Sequence, residues 1–104
     1  MKVLFIVIAT FVYFSNIEVH SSEHGMKVYF KCISCHGTRA LGKKNLGAPK
    51  LAGQDGWYLE DQIKLIRSGE RNSGRSKSML TMFRKLSEKD IREVSRYLQS
   101  LSCK

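Results

Sequence analysis

The pentapeptide Cys32-Ile-Ser-Cys35-His36 constrains this chain more than any other feature. Two thiols three positions apart can each add across a vinyl group of one haem, and the neighbouring imidazole can then bind the iron from below. The spacing C-x-x-C-H is therefore read as attachment of a c-type haem, one per chain. Three rival readings use the same residues. A thioredoxin-like redox pair wants its C-x-x-C beside a βαβ pattern, and none is present. A zinc site needs four ligands, and His20, His24 and Cys103 stand at no recognised spacing. A structural disulfide between Cys32 and Cys35 is the third.

The start of the chain supports the haem reading. After Met1-Lys2, residues Val3 to Phe14 form an uncharged apolar run of about the 7 to 15 residues expected of an export signal, short of the roughly 20 needed to span a bilayer. Small residues follow, and Val19-His20-Ser21 suggests cleavage after Ser21, giving a signal peptide over 1–21 and a mature domain over 22–104. A retained membrane anchor and a buried core segment are the alternatives. Export in a bacterium means the periplasm, where covalent haem attachment takes place.

Length and charge bound the rest. A chain of 104 residues is one domain at most. Near 80 residues a hydrophobic core alone is thin, and small exported domains add disulfides, a metal or a cofactor. Three cysteines leave one over from any paired framework. The formal net charge is +9, which points to an anionic partner. Removing 1–21 takes away Lys2 and Glu18 and leaves that charge unchanged.

The mature chain reads as all-α with long loops. A short helix is expected from His24 to about Ile33, with Met26, Val28, Tyr29 and Phe30 as its apolar residues. Gly37 to Gly56, rich in glycine and holding the only proline, reads as a long loop. Leu59, Ile63 and Ile66 are spaced for one helix face from Trp57 to about Ser68, and Gly69 stands where that helix would stop. Glu70 to Ser78 has no apolar residue and reads as a solvated loop. Ser87 and Asp90 suggest a capping box, followed by Ile91, Val94, Leu98 and Leu101 as one inward stripe.

An iron held by His36 needs an open sixth position or a second ligand. Met26 lies too close along the first helix to reach the opposite face. Met79 and Met82 have ample chain to do so, and spacing alone does not choose between them. Both are also suited to ordinary core packing.

These residues together resemble the class I c-type cytochromes, in particular the small bacterial domains found in mono-haem carriers and in di-haem cytochromes. The resemblance runs from about Gly25 to Leu101. It rests on Cys32-Ile-Ser-Cys35-His36-Gly37, on Gly47-Ala-Pro49-Lys-Leu51-Ala-Gly53-Gln54, on Tyr58, on Met79 to Met82, and on Leu86-Ser87-Glu-Lys-Asp90-Ile91. It implies a cytochrome c fold of three to four helices around one covalent haem. In such domains the ligand methionine lies eight residues before the capping serine, which selects Met79 and leaves Met82 as the fallback. The resemblance also implies that the Pro49 carbonyl accepts a hydrogen bond from His36. Gly25 would meet Tyr97 where the first and last helices cross. Trp57 and Tyr58 would pack near the haem, with Tyr58 toward a propionate.

The function expected is one-electron transfer without a substrate bond made or broken, in a periplasmic carrier or in a haem-bearing subunit of a larger oxidoreductase complex. A ligand sensor or peroxidase would need an open sixth site, and a nucleic-acid binder is disfavoured by export. The expected partners are acidic redox proteins such as a terminal oxidase or a dehydrogenase, with the membrane involved only if the N-terminal segment is retained. Cys103 is either a free thiol in a monomer or the link in a disulfide-bonded pair. A Cys32→Ala, Cys35→Ala double variant is expected to lose all haem staining on a denaturing gel; covalent haem retained in that variant would refute attachment at this motif.

Overall fold

The computed structural model describes residues 21–104, so the expected export segment lies outside the described residues except for Ser21. Helix α1, Ser21–Tyr29, tightens into a 3₁₀ turn at Phe30–Cys32 and continues as the single turn α2, Ile33–His36. A long loop holding a 3₁₀ turn at Lys44–Leu46 leads to α3, Gly56–Ser68. A 3₁₀ helix at Gly74–Met79 runs into the short α4, Leu80–Phe83, and α5, Glu88–Ser100, closes the fold. Extended pairing among the described residues is limited to one bridge, Lys43 with Ala48. The all-α expectation agrees with this architecture.

Helix α5 starts at the expected box. The Ser87 hydroxyl accepts from the Asp90 amide and the Ser87 amide donates to Asp90 Oδ2, each at 3.0 Å. Ile91, Val94 and Leu98 are buried against α1 and α3, and Leu101, just beyond the helix, is partly buried. In α3, Leu59, Ile63 and Ile66 face inward and Gly69 ends the helix at φ 85°. The start of α3 has no local cap: Asp55 makes none, and Gln99 Oε1 of α5 accepts from the Gly56 amide at 2.5 Å. One helix thus satisfies a free N–H at the start of another.

Helices α1 and α5 cross at Gly25. A Cβ at that position would lie 2.3 Å from the Glu93 carbonyl oxygen and 2.6 Å from Tyr97 Cβ, so the absence of a side chain is what permits the crossing. Beyond the contact the Tyr29 and Tyr97 rings pack with centroids 5.8 Å apart. On its near side His24 Nε2 donates to Asp90 Oδ1 at 2.8 Å. A second latch joins α3 to α5, where Arg67 Nη2 donates to Glu88 Oε1 at 2.6 Å and Lys64 lies 3.4 Å from Glu88 Oε2. The Arg67 and Lys64 hydrogen bonds hold the Glu88 carboxyl below its ordinary range.

The structure corrects three local expectations. The first helix already includes Ser21, ahead of the expected start at His24, and leaves α geometry at Phe30. Of its four apolar residues only Val28 and Tyr29 are buried, whereas Met26 is exposed and Phe30 is 71% exposed. The cause is the crossing: Gly25, Val28 and Tyr29, at i, i+3 and i+4, form the face that meets α5, and Met26 and Phe30 fall off it. The polar stretch Glu70 to Ser78 is not wholly solvated loop. Ser76 and Ser78 hydroxyls donate to the Ser73 and Arg75 carbonyls at 2.5 and 2.6 Å, closing the 3₁₀ helix, and Ser76 is buried. Phe83 and Leu86 join the core from a segment too short to display a period.

Gly25→Ala is expected to destabilise by about 2 kcal/mol or more, the upper part of the overpacking range, because the neighbouring atoms are backbone and a ring-bearing Cβ rather than flexible tips; chemical denaturation measures it. The Asp90 carboxyl is held below the usual carboxylate range by the Ser87 amide first and by His24 second. A depressed carboxyl contributes stability above its unfolded pKa of about 3.9 and loses it as pH falls through the lower folded value. Asp90→Asn is therefore expected to be less stable than the parent at neutral pH, with the difference narrowing in denaturant titrations below about pH 4.

Candidate haem site

The site is built where α1 runs out. Cys32 ends the 3₁₀ turn, Cys35 follows one helical turn later, and His36 is the last residue of α2. Gly37 then turns the chain at φ 89°, a conformation that favours glycine, and its amide donates back to the Ile33 carbonyl at 2.8 Å. The buried Tyr29 hydroxyl donates to the Gly37 carbonyl. Burial first, and the neighbouring Cys32 second, push that phenol up to about 12, so it remains a neutral donor near pH 7. Tyr29 thus anchors the turn that follows the histidine. The sequence marks Tyr29 as an apolar residue but carries no signal for its hydroxyl.

The loop after Gly37 folds back on itself around Ala40. Ala40 is fully buried at φ 56°, and its carbonyl accepts from the amides of Leu51 and Ala52 at 2.9 and 3.0 Å. The Gly42 amide donates to the His36 carbonyl at 2.9 Å. This doubling back returns Pro49 to the histidine, and His36 Nδ1 meets the Pro49 carbonyl oxygen at 2.9 Å. A carbonyl only accepts, so Nδ1 carries the proton and Nε2 holds its lone pair. Among the described residues Nε2 has no hydrogen-bond partner, and His36 as a whole is only 6% exposed. A buried imidazole held in one tautomer with its second nitrogen unspent is the donor a metal ligand requires.

Cys32 is half-buried and Cys35 exposed, and no disulfide joins them. Burial, followed by the charge of Cys35, pushes the Cys32 thiol up to about 11. Met79 closes the 3₁₀ helix, partly buried against the core cluster, and Met82 is partly buried one turn later in α4. Trp57 and Tyr58 pack edge to face with centroids 6.0 Å apart and are 67% and 43% exposed. Large aromatic surface left open at Trp57 and Tyr58 is of the kind a flat apolar cofactor would cover. Cys103 is exposed, and its tail is tied to the loop by Lys50 Nζ and Arg39 Nη2, which donate to the Cys103 and Lys104 carbonyls at 3.2 and 2.7 Å. Among the described residues no group of three or more His, Cys, Asp or Glu could hold a metal ion.

Residues 22–102 match the family model described as cytochrome c. The chain belongs to the cytochrome c family. It is 39% identical over 69 residues to cytochrome c-554(548) of Halomonas halodenitrificans, covering 66% of this chain and 82% of that protein. Its fold matches reduced recombinant cytochrome c4 from Pseudomonas stutzeri with a TM-score of 0.73 and 30% identity, over 82% of this chain and 50% of that one. It also matches thiosulfate dehydrogenase (TsdBA) from Marichromatium purpuratum with a TM-score of 0.69 and 30% identity, over 77% of this chain and 18% of that one. The chain thus spans half of the cytochrome c4 chain and less than a fifth of the dehydrogenase chain that it matches. Its cofactor is a covalently bound c-type haem, and its function is electron transfer rather than catalysis of its own reaction.

Proposed function

We propose that this cytochrome is an exported, periplasmic one-electron carrier in which residues 1–21 are the export signal, Cys32 and Cys35 hold the haem, and His36 and Met79 are its axial ligands. When bound, the haem supplies a single-electron couple between ferric and ferrous iron. The observation that carries this reading is the hydrogen bond from His36 Nδ1 to the Pro49 carbonyl. In the neutral ring it places the proton on Nδ1, leaves the lone pair on Nε2 and raises the basicity of that nitrogen as a ligand. A thioether from Met79 favours the ferrous state and raises the reduction potential. Tyr58, beside Trp57, is positioned by the same reading toward a propionate.

The distribution of charge supports an acidic redox partner. Residues 31–54 carry Lys31, Arg39, Lys43, Lys44 and Lys50 with no acid, and residues 71–85 carry Arg71, Arg75, Lys77, Arg84 and Lys85 with none. Among the described residues none of these cations pairs with an acidic side chain. The ion pairs lie on α1, α3 and α5, as Glu23–Lys27, Glu60–Lys64, Glu88–Arg67, Glu93–Arg96 and His24–Asp90. Most of the positive charge left without an acidic neighbour among the described residues therefore lies on the two segments that hold the cysteines and Met79, where it would steer an acidic surface into contact.

The match to a part of thiosulfate dehydrogenase favours a second reading, a haem-bearing subunit of a larger oxidoreductase complex. Migration on a native sizing column only with a larger enzyme would select it over the free carrier. Met79→Ala is expected to abolish the weak far-red absorption band of methionine-ligated ferric haem, and Met82→Leu to keep it; the reverse result makes Met82 the ligand. Bimolecular electron transfer with the physiological partner is expected to slow as salt rises from about 0.01 to 0.15 M, because the Debye length shrinks from roughly 30 to 8 Å. A rate independent of salt in stopped-flow measurements would count against the acidic partner.

A further inference from the structure

We propose that Arg75 is a clasp that positions the Met79 segment by lying across Gly47, so that the loops supporting the two axial ligands are held as one unit. The proposal rests on the assignment of His36 and Met79 as ligands. A Cβ at Gly47 would lie 2.7 Å from both Arg75 Cδ and Nη1 and 2.9 Å from Cζ, so the guanidinium rests directly on the bare backbone of that residue. Gly47 adopts φ 66° and stands two residues before Pro49, whose carbonyl orients His36. Arg75 stands four residues before Met79 in the same 3₁₀ helix. The contact therefore joins the histidine side of the site to the methionine side.

Both partners are stiff where they meet. Gly47 closes a tight turn in which its amide donates to the Lys44 carbonyl at 3.0 Å, while Lys43 and Ala48 exchange amide hydrogen bonds at 2.9 and 3.2 Å. On the other side the Arg75 carbonyl accepts from the Ser78 hydroxyl at 2.6 Å, and the buried Ser76 hydroxyl donates to the Ser73 carbonyl at 2.5 Å. Movement of the arginine is thereby passed along a closed turn of helix toward Met79 instead of being absorbed in loose chain. Arginine is suited to such a contact, because a planar guanidinium stacks flat on a peptide and a lysine ammonium does not. Among the described residues it forms no ion pair that would pull it elsewhere.

The test uses the haem-loaded protein and added imidazole, which competes for the sixth position of ferric iron. Arg75→Ala is expected to bind imidazole about tenfold more tightly, a change of roughly 1.4 kcal/mol in the hold on the native ligand, and to show a lower reduction potential. Gly47→Ala, which pushes the arginine off its seat, is expected to tighten imidazole binding in the parent and to do so far less when Arg75 is already Ala. Arg75→Gln, which keeps a polar stem on the exposed surface, reads the same change should the alanine variant accumulate poorly. Unchanged imidazole affinity and potential in folded Arg75→Ala or Arg75→Gln, or full additivity with Gly47→Ala, overturns the clasp while leaving the ligand assignment standing. An unchanged spectrum in Met79→Ala overturns the ligand assignment and the clasp with it.

Discussion

Where α1 and α5 cross, the carbonyl of Glu93 and the Cβ of Tyr97 occupy the space a side chain on residue 25 would need. Contact at this distance is available only to glycine, and it fixes the exit of α1. The chain leaves that crossing with Val28 and Tyr29 buried, tightens through Phe30–Cys32, and delivers His36 at the end of α2. The polar bond between His24 and Asp90 on one side and the Tyr29–Tyr97 contact on the other hold the crossing in register. A small domain with a modest core thereby obtains one rigid axis from which the site projects.

The loop from Gly37 to Ala52 builds the candidate site on that axis. It has almost no regular structure, yet its backbone is tied down through Ala40, Gly42 and the Lys43–Ala48 bridge. The result is the placement of one carbonyl, that of Pro49, against one imidazole nitrogen. The described domain, residues 21–104, is short for a self-sufficient core, and a covalent haem completes it, which reconciles an irregular loop of this length with a stable fold. The charge follows a similar division: the ion pairs among the described residues lie on helices that pack on each other, while the cations of residues 31–54 and 71–85 have no acidic partner there.

Regular periodicity is legible in the order of residues alone. The stripes Leu59, Ile63, Ile66 and Ile91, Val94, Leu98 and the capping box of Ser87 with Asp90 follow from spacing, since they depend on residues within a few positions of one another. The 3₁₀ helix at Gly74–Met79 does not, because it is closed by serine hydroxyls turning back on their own chain, in a stretch whose composition matches open loop. The outward direction of Met26 and Phe30 is likewise hidden, since α1 shows its face only against α5.

The sequence by itself determined the cofactor chemistry and the class of fold, because Cys32, Cys35 and His36 are adjacent and the helical stripes are periodic, so both are local properties of the chain. Tertiary structure alone decided which nitrogen of His36 is free, how Gln99 caps α3, and that Arg75 lies on Gly47. Each of these joins residues that are distant along the chain, and no spacing rule relates them; only the packed backbone brings donor and acceptor, or side chain and bare glycine, within a few ångströms.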